Sequence, residues 1–208
     1  MRYDNRIYFF LTNIWNRLLI FFSFIFLRVD GEENLSKYPD NPSIIIANHS
    51  SALDIFLLES ILGSYPRVWF SKASYEKIPI FNIFLKKMHI LVKRKNPKDA
   101  FRALYKAYDL LKLSSRHLVM FPEGRRYDDG KIHNFFSGFA ILAKKLNRPV
   151  IPITIVGTNK IFPKNRFVID AKASDVKIVI GKPIKMKHDE MEKDFVKRIH
   201  DWYTKCIF

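Results

Sequence analysis

The chain has a single cysteine, Cys206, in 208 residues. That count excludes an intrachain disulfide framework and a cysteine-built zinc site. Acidic residues are also scarce: 20 Asp and Glu stand against 36 Lys and Arg, a formal charge of +16. A surface so short of negative charge attracts phosphate-rich partners, nucleic acid or anionic lipid headgroups, and charge alone does not choose between them. Internal repeats and low-complexity linkers are missing. So is the His-Glu-x-x-His pattern, and no bound metal is expected. Gly124 to Gly130-Lys131 is not a phosphate-binding P-loop, because five residues intervene where four are needed and no Ser or Thr follows the lysine. The terminal "CIF" leaves two residues after the cysteine where a prenylation box needs three, so that anchor is not expected.

A long unbroken apolar run is lacking too. From Ile7 to Leu27 the chain reads "IYFFLTNIWNRLLIFFSFIFL", interrupted by Asn13, Asn16 and Arg17. As one straight helix it would be about 31 Å long, near the thickness of a bilayer's hydrocarbon core. An arginine in its middle costs roughly 3 kcal/mol at bilayer depth. The purely apolar piece, Leu18 to Leu27, is too short to span, and no small-residue cleavage site follows it. Three arrangements fit: a helix or helical hairpin lying in the interface, one tilted span, or a helix packed on the core. Joined to the positive charge, the segment favours lipid as partner. The expected organisation is a membrane-associating helical segment over residues 1–28 and a globular domain over 29–208. Stacked aromatics beside basic residues are confined to "NKIFPKNRF", a thin basis for nucleic-acid binding, and no nucleic-acid partner is expected. Low cysteine use and the missing cleavable leader fit the reducing, cytoplasmic face of a membrane.

Hydrophobic residues make up 48% of the chain, enough for the core of one compact domain. Short apolar runs at Ser43–Ala47, Arg67–Lys72, His89–Val92, His117–Phe121 and Val150–Val156 read as strands, as do "RFVID" and "VKIVIG". Helical patterns cover Ala52–Leu62, Pro97–Leu113 (opened by Asn96 as cap), Phe136–Leu146 and Asp189–Cys206. Strands alternating with helices predict an α/β fold, a mixed but largely parallel central sheet flanked by helices.

Two stretches sit where strands lead into loops, the place at which open α/β sheets bind ligands. In "IIIANHSSALDIFLL" (Ile44–Leu58), Ser51 and Asp54 have the spacing of a helix capping box. His49 and Asp54 would diverge by about 140° inside one helix. With His49 just before the helix and Asp54 in its first turn, however, their side chains can meet. An imidazole that donates one N–H to a carboxylate is held in one tautomer and keeps its other nitrogen as a base. The second stretch, "FPEGRRYDDGKIHNFFSGFA", sets a glutamate, a glycine and two arginines after a strand, and arginine suits phosphate. Of the other histidines, His89 and His117 fall on apolar strand patterns and are structural, His188 and His200 read as solvated, and His133 is a weaker candidate for substrate contact.

Taken in order, "NHSSALD" resembles the Asn-His-x-x-x-x-Asp motif of the glycerolipid acyltransferases, and "FPEGRR" resembles their Phe-Pro-Glu-Gly-Thr-Arg block. The likeness runs from about Ile44 to Thr158. It takes in "SKASYEKIP", "ILVKR" and "RPVIPITIVGT", and is strongest to the branch that acylates 1-acylglycerol-3-phosphate to phosphatidic acid. The resemblance implies an O-acyltransferase in which His49 and Asp54 are catalytic. Glu123 and Gly124 would contact the acceptor's glycerol portion, Arg126 and Arg94 its phosphate, with Lys72 a lesser ligand. It implies no cofactor beyond the acyl-coenzyme A or acyl-carrier protein co-substrate, and partners consisting of that donor, a lysophospholipid acceptor and membrane lipids. The chain departs from the pattern at Arg125, where the family has threonine. It departs again at Phe136-Ser137-Gly138, which lacks the lysine of Phe-Lys-x-Gly, and at Asn82, which replaces a glycine. These departures leave an acceptor other than lysophosphatidate open.

Overall fold

The computed structural model describes residues 6–36, 41–72, 89–92, 97–163 and 175–207. The described elements are α1 (Arg6–Phe22), β1 (Phe26–Asp30), α2 (Glu33–Ser36), β2 (Ile44–Ala47), α3 (Leu53–Ile61), β3 (Arg67–Lys72) and β4 (His89–Val92). There follow α4 (Pro97–Leu111), β5 (His117–Met120), α5 (Gly138–Leu146), β6 (Val150–Val156), α6 (Thr158–Ile161), β7 (Asp175–Ile180) and α7 (Glu192–Ile207). The strands form one sheet in the order β1-β7-β6-β2-β5-β3-β4. Among the described strands the β6–β7 pair alone is antiparallel, so the sheet is mixed and largely parallel as the alternation predicted. The expected strand "RFVID" lies outside the described residues.

Every residue of β2 and of β5 is buried, because helices cover both faces of the sheet. Alternate residues feed two cores. Ile45, Ala47, Val119, Ile151 and Ile153 pack with α3 and the end of α1, while Ile44, Ile46, Leu118, Met120 and Val150 pack with α4, α5 and α7. A strand β1, absent from the expected elements, pairs parallel with β7 at one edge and begins at Phe26. The boundary expected at residue 28 therefore falls inside a strand.

The polar breaks in the N-terminal segment have a physical reason. Asn13 donates to the carbonyls of Glu59 and Ser60, and Arg17 donates to the Ser60 carbonyl at 3.1 Å. They satisfy C-terminal carbonyls of α3 that lack intrahelical partners. On the same face Phe9 is buried beneath the Arg67 guanidinium, which in turn is paired with Glu59. The outer face of α1 carries exposed Ile7, Phe10, Leu11, Trp15, Leu18, Phe21 and Phe22. Phe9, Asn13, Asn16 and Ile20 thus face the protein, and the outward face of the helix is largely apolar. Among the described residues, no helix is long and apolar enough to cross a membrane.

Two side chains manage the point where β2 leaves the sheet. Tyr203 of α7 is fully buried; its hydroxyl donates to the Ile46 carbonyl at 2.8 Å and accepts the Ile153 N–H at 3.2 Å. One step on, the Asn48 amide donates to the Ile155 carbonyl and accepts the Ile155 N–H, both at 2.8 Å. A phenol and then a carboxamide stand in for the strand ladder, freeing the backbone to turn at His49. Tyr203→Phe strands a buried carbonyl and a buried N–H, and should lower unfolding free energy by about 1–3 kcal/mol. Denaturant unfolding with an unchanged m-value checks this.

Candidate active site

Strands β6, β2 and β5 are neighbours and run in the same direction, so their carboxyl ends bring three loops together. The loop after β2 carries His49, the loop after β5 carries Glu123, and the turn after β6 carries Thr158.

His49 and Asp54 meet, as the spacing allowed. The His49 Nδ1 lies 2.9 Å from the Asp54 Oδ2. That same oxygen accepts the backbone N–H groups of Ser50 and Ser51 at 2.8 Å each, and the other oxygen accepts the Thr158 hydroxyl at 2.6 Å. Asp54 is wholly buried, whereas the His49 side chain keeps 14% of its surface accessible. The expected capping box forms only in part: the Asp54 side chain reaches back to the Ser51 N–H, but the helix is capped at Ala52, the Ser51 hydroxyl accepts the Leu53 N–H at 3.2 Å, and the Asp54 N–H donates to the Ser51 carbonyl. One carboxylate therefore starts the helix and orients the imidazole.

The imidazole is fixed on its other sides as well. Its ring stacks on Phe121 at 3.8 Å with 8° between the planes. Its backbone N–H donates to the Glu123 Oε1 at 2.8 Å, and its carbonyl accepts the Tyr127 N–H at 2.9 Å. Because a carboxylate can only accept, the proton of the Asp54 contact sits on Nδ1 and the lone pair on Nε2. Nε2 makes no hydrogen bond among the described residues. His49 lines a small cavity of about 30 Å³ together with Asn48, Ser50, Glu123, Lys131 and Asn159.

Glu123 is also buried, and its second oxygen accepts the His133 N–H at 3.2 Å. Burial pushes its carboxyl up to about 7, against the pull of the His49 and His133 amides. It thus ties the two motif loops together from within the cavity wall. Gly124 adopts φ +73°, and a Cβ there would stand 2.7 Å from the Phe136 ring. Arg126 is half-buried on this loop and has no ion pair among the described residues. Arg125, in the family's threonine position, lies over the Tyr127 ring, which stacks on His133. Lys72 ends β3 at the same carboxyl edge of the sheet, while Arg94 lies outside the described residues. The backbone N–H groups of Ser50, Ser51 and Gly124 are already engaged, so they offer no ready pocket for an oxyanion.

His117, one of the histidines assigned to structure, is buried with Nδ1 accepting the Ser43 N–H at 3.1 Å. Burial first, then the nearby arginines, push it down to about 4. His200, read as solvated, instead packs edge-on against Phe135 at 5.1 Å. Thr158 and Ser50 escaped sequence reasoning. The signal for Thr158 was its place directly after the last motif strand, behind a glycine.

The sequence profile of the acyltransferase family matches residues 26–156. The chloroplastic 1-acyl-sn-glycerol-3-phosphate acyltransferase BAT2 of Brassica napus is 33% identical over 184 residues, 88% of this chain and 52% of that protein. The 1-acyl-sn-glycerol-3-phosphate acyltransferase of Saccharomyces cerevisiae is 29% identical, over 84% of this chain and 57% of its own length. The chain thus spans little more than half the length of these relatives. The crystal structure of the 1-acyl-sn-glycerophosphate acyltransferase PlsC from Thermotoga maritima superposes with a TM-score of 0.83 at 27% identity. It covers 97% of this chain and 79% of that one. With a family profile over most of its length, a relative a third identical and a shared fold, the chain belongs to the acyltransferase family.

Proposed function

We propose that the protein transfers a fatty acyl group from a thioester to the free hydroxyl of a lysophospholipid, with 1-acylglycerol-3-phosphate as acceptor and phosphatidic acid as product. The observation that carries this reading is the His49 imidazole, which lines a cavity, is anchored through Nδ1 on buried Asp54, and has Nε2 without a hydrogen bond among the described residues. Nε2 takes the acceptor's hydroxyl proton as its oxygen attacks the thioester carbonyl. The C–S bond then breaks and the thiolate takes the proton back from the imidazolium. Asp54 steadies that cation. The nucleophile is the substrate's own oxygen, so no acyl-enzyme is required. Donors of both kinds, acyl-coenzyme A and acyl-carrier protein, present the same thioester.

Glu123 and Gly124 are assigned to the acceptor's glycerol portion, supported by the place of Glu123 in the cavity wall. Arg126, Arg94 and Lys72 are assigned to its phosphate, on the family resemblance and on the guanidinium's fit to phosphate. The Phe136 ring lies against Gly124 in the stretch that lacks the lysine of the family pattern, which favours a second reading in which the acceptor headgroup differs. The outward face of α1 supports monotopic attachment, in which its aromatic residues enter the interface while Asn13 and Arg17 stay bound to α3.

Two measurements test this reading. Wild-type protein given labelled acyl donors and a panel of lysolipids should produce phosphatidic acid, and His49→Ala should lower turnover roughly 10²–10⁴-fold while remaining folded. Undiminished turnover in the folded variant refutes the assigned base. Replacing exposed Trp15 and Phe21 by glutamate should leave the fold intact and release the protein from anionic vesicles in a flotation assay. Flotation equal to wild type excludes α1 as the lipid contact.

A further inference from the structure

We infer that Thr158, with Ser50 behind it, is a positioning residue that fixes the Asp54 carboxylate and through it the His49 base; this rests on the acyl-transfer reading. Thr158 and Asp54 are fully buried and lie 104 residues apart in sequence. The Thr158 hydroxyl lies 2.6 Å from the Asp54 Oδ1, the carboxylate oxygen that His49 does not use. Its single hydrogen must point there, since the carboxylate accepts. The Ser50 hydroxyl, 2.9 Å from the Thr158 oxygen and buried, is therefore the donor in that contact. The result is a directed chain, Ser50 to Thr158 to Asp54 from one side and His49 to Asp54 from the other.

The geometry explains why this chain exists. The His49 ring, Ser50 N–H and Ser51 N–H all bind one carboxylate oxygen. Three donors on one side leave the opposite oxygen buried and in need of a partner. Without Thr158 the carboxylate loses its one donor at Oδ1 among the described residues and is free to rotate about its last bond, which misaims the imidazole. The sequence pays attention to this placement through Gly157, which has φ +103° and would drive a Cβ to 2.3 Å from the Asp175 carbonyl oxygen. Only glycine makes that turn, and the turn delivers Thr158 to the site.

A merely structural role is the competing account, because Ser51 also ties this segment by donating to the Phe162 carbonyl at 2.7 Å. The experiment separates them. In the full-length protein, Thr158→Val should lower kcat roughly 10- to 100-fold, the cost of a misoriented catalytic group, with KM for donor and acceptor unchanged. Thr158→Ser should restore turnover, since it keeps the hydroxyl. In an Asp54→Asn background Thr158→Val should subtract nothing further from the residual rate. Thr158→Ala serves if the valine variant does not fold. Overturning results are wild-type turnover in folded Thr158→Val, a serine variant as slow as the valine one, or a full additional loss in the Asp54→Asn background. A wild-type protein without any acyl transfer overturns the acyl-transfer reading, and this inference with it; an active wild type that is indifferent to Thr158 overturns this inference alone.

Discussion

Asp54 is a carboxylate with no access to water, and it accepts from the His49 ring, two backbone amides and the Thr158 hydroxyl. Burying such a group is costly unless donors replace its hydration, and here each donor comes from a segment whose position depends on the sheet. The Ser50 and Ser51 amides exist in that orientation because β2 ends at Ala47 and the chain turns into α3. Thr158 arrives because β6 lies beside β2 and ends in a left-handed glycine. Loosening any of these elements would leave the carboxylate short of partners. The geometry of the candidate site and the local stability of this sheet end are thus the same set of hydrogen bonds.

The same economy holds at the N-terminal helix. An apolar helix with Asn and Arg in its middle is a poor membrane span, and the polar groups are spent on the exposed carbonyls of α3. Binding those carbonyls turns the apolar side outward and seats Phe9 over the Arg67–Glu59 pair. α1 and the imidazole both rest on α3: one on its C-terminal carbonyls, the other on its first turn. The apolar outward face of α1 and the His49–Asp54 pair are therefore held at a set separation by one helix, an arrangement that suits the proposed reaction on a bilayer-resident acceptor.

Much of this was legible in the chain. The buried strands announce themselves as short Ile- and Val-rich runs, and the observed β3, β4 and β6 have the expected bounds. The five-residue spacing of His49 and Asp54 made sense only across a loop-to-helix junction, where they are found. Strand β1 was hidden because it is an edge strand whose alternating residues are at most half-buried, joined directly to an apolar helix. Periodicity shows that α1 has two faces but not which one turns inward; that depends on carbonyls 43 to 47 residues away. Tyr203 was illegible for the same reason, since nothing local marks a hydroxyl that finds its partner across the sheet, and Thr158 was marked by no more than the glycine before it at the end of a motif strand.

The central claim is that Asp54 holds the His49 proton on Nδ1 and leaves Nε2 as the free acceptor of a residue that lines the cavity. Nitrogen NMR of selectively labelled histidine, with His49 assigned by substitution and observed where its ring is neutral, reads this directly. The account predicts a protonated, hydrogen-bonded Nδ1 and a bare Nε2, with the preference lost in Asp54→Asn. A proton resident on Nε2, or equal exchange between the two nitrogens in the wild type, would contradict it.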